Sequence, residues 1–419
     1  MKVSCLLLPV VLFAFNPDLV AQAPTAGQPQ ASEQAFETSS VVEAKLFVPE
    51  KLMTGSLHSV DDHADNDGLQ NVYQLTSEGR TLEITTTPLL IQRINEIYAL
   101  DYLRGLSKTE EFGKALANSA KAKGKSIVGI VKDPVGTVKK LPRGASRFFG
   151  GIGEAMKGGK SETEGGTLDS LAGTNKAKAA LALKLGVSPY TDNQALQEEL
   201  TNTARAMAGG GLVLGAATMA VTGGVGVALT VVGVNQTLQA ALVNSTPEEL
   251  RIINRKKLFA LGLSPEQADA FLLHSQYSPW HKTIITDALA RIGVSPKTFL
   301  KEACKASNQE DAFYFQRLAQ LLLQYHETTA ALRSIRIENE IVCGLDRNGT
   351  LVVPVSLDYA IWNERLAGRA NQFATLVSAG KEIKTLALWT DGELSPRLGQ
   401  ELTTRGISWK MHALDAEKN

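Results

Sequence analysis

The chain has 419 residues, room for two or three domains, and its 44% hydrophobic and 21% charged content is ordinary for globular protein that can build a core. Forty-three basic and 43 acidic residues cancel, which excludes an overall field that would draw nucleic acid, and none is expected as a partner. Beyond Cys5 in the leader only Cys304 and Cys343 remain, so the choice is between one disulfide and two buried thiols.

The start of the chain reads as a secretory signal peptide over residues 1–23. Met1-Lys2 is a positive n-region, Leu6 to Phe15 a short apolar h-region, and Ala21-Gln22-Ala23 a small-x-small cleavage site. The apolar run is too short to span a bilayer. Export is therefore expected, to a periplasmic or extracellular location with membrane association as a variant. Residues 24–44 begin as a Pro, Gln, Ser and Thr-rich stretch that cannot bury enough surface to fold, and they read as a disordered tether.

From Lys45 to Thr87 the runs LHSV, NVYQL and TLEITTT alternate apolar and polar residues around Asp, Asn and Gly turns, the pattern of antiparallel strands, with Ser77 to Arg80 as a hairpin turn. Leu90, Ile91, Ile94, Ile97, Tyr98 and Leu103 then recur at helical spacing, so residues 45–120 are expected to be a small sheet carrying a helix.

Residues 121–175 read as a basic, Gly-rich linker. Between Lys121 and Lys160 ten basic residues stand against Asp133 and Glu154, a net of +8, which suits an anionic membrane surface as well as a solvated arm. Lys123-Gly124-Lys125-Ser126 imitates the end of a phosphate loop, but Ser119 stands where its first glycine belongs.

Residues 176–336 read as a helical bundle. Thr246-Pro247-Glu248-Glu249 and Ser264-Pro265-Glu266-Gln267 are helix starts with hydroxyl caps, and Gly262 and Gly293 are stops. Inside the bundle, 42 positions between Arg205 and Glu248 carry no charge. The apolar, glycine-rich hairpin over 206–243 is long enough to enter a bilayer, yet Thr222-Gly223-Gly224 looks like a turn between two modest helices buried at the bundle centre.

Residues 337–419 read as a compact α/β module of β-β-α-β-α-β order. Asp346-Arg347-Asn348-Gly349 joins the first two strands, Thr385 to Trp389 is a buried strand, Ser395-Pro396 starts a helix, and Ile407 to Leu414 is the last strand. The fold class that results is α+β, mainly helical.

No complete catalytic, metal or nucleotide motif is present. His326-Glu327 lacks the second zinc ligand, which falls at Ala330. His58, Asp61, His63, Asp65 and Asp67, with Asp62 among them, form a dense run ending in Gly68 that suits weak divalent-cation binding, although Asp and Gly also form turns unaided. Asp391 and Glu393 follow a strand and precede a helix, where open α/β sheets gather ligands and where a carboxylate pair can act as acid and base. His281, in Tyr277-Ser278-Pro279-Trp280-His281, is the third catalytic candidate, and aromatic residues between helices usually belong to the core. No cofactor is predicted beyond a possible divalent cation. The expected role is a non-catalytic interaction or membrane-associated protein of the envelope, whose partners are an anionic membrane surface or envelope proteins. The alternatives are a secreted hydrolase with a site between bundle and C-terminal module, and a cation-stabilised binding module.

Overall fold

The computed structural model describes residues 35–38, 41–122, 168–208, 236–379 and 382–415. The stretch read as a signal peptide, the basic stretch after position 122 and residues 209–235 of the expected apolar hairpin lie outside the described residues. The fold is α+β and mainly helical, with an antiparallel sheet at the N-terminal end and a mixed sheet at the C-terminal end.

The first sheet is built from β1 (Val41–Glu43), β2 (Ser59–Val60), β3 (His63–Asn66), β4 (Asn71–Ser77) and β5 (Arg80–Thr85). Strands β4 and β5 pair antiparallel across the turn at Glu78 and Gly79, both at positive φ, the backbone that a two-residue hairpin requires. On the other edge β4 holds β3 at its start and β2 further along. Alternation along β4 points Asn71, Tyr73 and Leu75 inward, and Leu90, Ile94 and Tyr98 of α1 (Thr87–Ser107) close over them.

Between the sheets run α2 (Glu110–Ala122), α3 (Leu168–Lys184), α4 (Gln194–Ala208), α5 (Gln236–Asn244), α6 (Pro247–Ala260), α7 (Pro265–Leu272), α8 (Pro279–Ile292), α9 (Lys297–Ala303) and α10 (Gln309–Thr328). The predicted caps form: Thr246 with Glu249 and Ser264 with Gln267 close capping boxes, and Gly293 ends α8 in the left-handed conformation. Helix α3 starts inside the stretch read as linker, because Leu181, Ala182 and Leu185 find Leu196 and Leu200 of α4 to pack on. The α3–α4 loop is tied to α1 by a buried ion cluster. Arg93 pairs with Glu96 at 2.7 Å and with Asp192 at 2.5 Å, and Thr191 Oγ1 donates to Glu96 at 2.6 Å.

The second sheet has the order β12-β10-β8-β7-β6, from β6 (Leu332–Glu338), β7 (Ile341–Asp346), β8 (Thr350–Val355), β10 (Thr385–Thr390) and β12 (Ile407–Lys410). The first three strands form an antiparallel meander, and β8, β10 and β12 run parallel through the crossover helices α11 (Glu364–Ala379) and α12 (Pro396–Thr404). Helix α10 covers the face carrying Val342, Val352, Ala387 and Trp389, while α11 and α12 cover the face of Val353 and Leu386. A small parallel pair, β9 (Tyr359–Ala360) with β11 (Glu393–Leu394), lies beside it.

Three further boundaries differ from the sequence reading. Residues 332–336 are strand β6, not the end of the bundle, because their alternation is satisfied by β7 across a tight turn at Asn339 and Glu340. The last strand stops at Lys410 and the chain turns through 411–415. The end of the expected tether is anchored: Glu37 exchanges backbone and side-chain bonds with Trp362 and accepts from Ser395 Oγ at 2.6 Å, and Val41–Glu43 pairs with β3. The partners of Glu37 lie more than 300 residues away, and composition alone does not register them.

Candidate functional site

The two sheets meet where the β3–β4 turn docks on the loop after β8. Gly68 and Leu69 carbonyls accept from Ile361, Asp358 and Tyr359 amides, and Gln70 Nε2 donates to Ser356 O at 3.1 Å. Gly68 lies at φ +97°, and a Cβ there would stand 2.5 Å from Asn363 Nδ2, so only glycine passes this point. At the centre is Asp358, which no motif singled out. Its buried carboxylate accepts from the Asn71 amide at 3.0 Å and from the Thr87 amide at 2.9 Å, the latter at the positive end of α1. Burial pushes its pKa up to about 6 in spite of those two bonds, and the Asp391 charge adds to the rise. Asn66, Asn71, Tyr73 and Thr87 continue the network by side-chain bonds of 2.6 to 2.9 Å.

Asp391 stands at the end of β10, as expected, but its oxygens are already committed. They meet Arg317 Nε and Ser356 Oγ, both at 2.8 Å, and the Leu357 amide at 3.0 Å. The segment can lie this close to the loop only because residue 392 is glycine, since a Cβ there would come within 2.0 Å of Leu357 O. Glu393, two residues on, belongs to β11 and faces solvent beside His412 at 3.4 Å. His281 sits in the first turn of α8, where burial lowers its pKa to about 4 and Nδ1 has no partner. An imidazole held so far below neutrality is a poor proton acceptor at pH 7. The three catalytic candidates do not hydrogen-bond to one another, and none lines the cavity described next.

That cavity, of about 330 Å³, opens beside the junction. Its walls are Val353, Val355 and Leu388 of the sheet, Leu366 and Phe373 of α11, Phe313 and Phe315 of α10, and Pro88 and Leu89 of α1. Volume and lining are those of a small-molecule pocket. Its surface is mainly apolar, but the lining also carries the acids Glu302, Glu310, Asp311, Glu340 and Asp358 beside Arg365 and Arg369, and Gln70 Oε1 and one terminal nitrogen of Arg365 are buried without a partner. Glu310 lines the same space, and burial raises its pKa. Sequence reasoning missed this site because its walls come from many separated stretches, most with an ordinary core pattern.

The proposed cation ligands are dispersed. His58 is buried, with Nε2 at 2.8 Å from Leu52 O and Nδ1 at 3.1 Å from the Tyr98 hydroxyl. Asp61 is exposed, His63 and Asp65 occupy the exposed face of β3, and Asp67 accepts from the Leu69 and Gln70 amides as a turn former. Among the described residues no three His, Cys, Asp or Glu side chains converge as a metal ion requires. Cys304 and Cys343 are both free thiols. Tyr277 and Tyr325 are core residues that donate to Ala303 O and to Asp346. Among the described residues no helix is long and apolar enough to cross a membrane. Compared with known protein families, curated proteins and solved structures, the chain has no match in any of the three.

Proposed function

We propose that the protein is an exported, non-catalytic binding protein of the cell envelope, whose junction cavity takes an amphiphile with an apolar body and an anionic head. The single observation that carries this reading is the apolar cavity of about 330 Å³ with the unsatisfied Arg365 and Gln70 among its walls. An acyl chain would replace the missing contacts of the aliphatic walls, and a carboxylate head would answer the guanidinium, with the Gln70 oxygen accepting from a neighbouring hydroxyl or a protonated acid. The leader, the net +8 stretch and the uncharged run support delivery to an anionic membrane surface, where such ligands reside.

The test is displacement of a fluorescent fatty-acid analogue from the delipidated protein, with mass spectrometry of what solvent extracts from protein purified from its own envelope. Binding that weakens about tenfold or more in Arg365→Met supports the reading. Absence of amphiphile from the extract, together with no binding of the analogue, refutes it. The alternative, a hydrolase between bundle and C-terminal module, draws on the position of Asp391 at a strand end, and it requires that Asp391→Asn abolish turnover of some ester, amide or glycoside while leaving the fold intact.

A further inference from the structure

A second pocket, of about 190 Å³, lies among α6, α7 and α8, away from the junction. It is bounded by Pro247, Glu248, Leu250, Arg251 and Asn254 of α6, by Leu272 at the end of α7, and by Pro279 and Lys282 of α8. Both α6 and α8 present their N-terminal turns here, each opened by a capping hydroxyl and a proline, so two positive helix ends converge.

Lys282 and Asn254 are both largely buried in it, and the Asn254 oxygen is shut from solvent without a partner. Lys282 is 8% exposed, and no acid among the described residues pairs with it. Its neighbour in charge is Arg251, another cation, and burial together with that repulsion lowers the Lys282 pKa to about 8. Asn254 is 1% exposed and spends its amide nitrogen on Thr283 Oγ1 at 2.8 Å, which in turn donates to Pro279 O, so the Asn254 oxygen is left as an acceptor without a donor. The pocket therefore brings two cations together, Lys282 largely buried and Arg251 exposed, beside an acceptor that has no donor.

We propose that this pocket binds a phosphate monoester group, with Lys282 and Arg251 holding its oxygens and Asn254 accepting its remaining proton. A carboxylate would satisfy the cations but has no hydrogen for Asn254, whereas a singly protonated phosphate supplies both. Glu248 is exposed at the rim and opposes the anion.

The experiment is thermal unfolding and calorimetry of the full chain with inorganic phosphate and glycerol phosphate, against sulfate at matched ionic strength. Wild type is expected to gain about 3 °C or more at saturating phosphate. In Lys282→Met the Kd rises at least about tenfold, and in Glu248→Gln it falls, which keeps a reading if the first variant misfolds. No phosphate-dependent gain in wild type, an equal gain with sulfate, or an equal gain in folded Lys282→Met overturns the proposal. Cosedimentation with phosphatidate vesicles against phosphatidylcholine identifies the source: loss of vesicle binding in Lys282→Met means a lipid headgroup, and unchanged vesicle binding with lost phosphate binding means a soluble ligand. Both of these uphold the site.

Discussion

The Asp391 side chain is 3% exposed and meets Arg317, Ser356 and the Leu357 amide, whereas Lys282, 8% exposed, meets no acid among the described residues. Both are charges taken out of water, a transfer that costs several kcal/mol per ion before any partner is counted. At the sheet junction the partners are present and the charge becomes part of the architecture. Among α6, α7 and α8 they are missing and the charge stays available to something that arrives. The difference teaches that a buried ionisable group is informative about function in proportion to what it lacks. By that measure Asp391 is committed to partners of its own fold, and the lysine that drew no notice in the sequence is the less committed group.

The largest effect should come from breaking the satisfied side. Asp391→Ala strands Arg317, itself only 15% exposed, and removes the acceptor of Ser356 and Leu357, so unfolding in urea should show a loss of about 3–5 kcal/mol. Adding Arg317→Met should return part of it, because the cost lies in the orphaned charge. A pair additive within about 0.5 kcal/mol would show that the two residues do not act as a unit.

Next is pH, where the two regions should give slopes of opposite sign. Asp358 rises from 3.8 to about 6 on folding. Between those values the folded protein holds the proton more firmly than the unfolded chain, so its contribution to stability falls as pH climbs, by up to about 3 kcal/mol. Lys282 drops from 10.5 to about 8. Its burial penalty is present in full below pH 8 and is relieved as pH climbs to 10.5, so stability rises there by up to about 3 kcal/mol. Unfolding free energies of wild type minus Lys282→Met across the alkaline window, in phosphate-free buffer, isolate the second slope, and a flat difference would contradict it.

A smaller effect is expected from Lys282→Met at pH 7 without phosphate, a gain of about 1–2 kcal/mol, since replacing an uncompensated buried charge by an apolar chain is neutral to stabilising. A loss of that size would mean the ammonium has a partner. The smallest is Thr246→Ala, which removes a cap bond of 3.2 Å at the start of α6 and should cost about 1 kcal/mol. If it also weakens phosphate binding, the helix terminus contributes to the pocket beyond the side chains.

The features that residues within a few positions decide were legible in the amino-acid sequence. Thr246, Ser264 and Ser395 cap the helices that begin after them, each bonding an amide three residues on, and the Glu78-Gly79 turn closes its hairpin. Asp346 accepts from the amides of Asn348 and Thr350 at 2.8 and 2.7 Å, which makes the predicted β7–β8 turn. The fold class follows from such local signals added together. Beyond their reach lay everything that a distant partner decides. Strand β6 needs β7, Glu37 needs Trp362 and Ser395, and Asp358 needs amides 271 and 287 residues away. The candidate sites belong to this second kind, because desolvation and the presence or absence of a counter-charge are properties of a surrounding, and only the packed chain has surroundings.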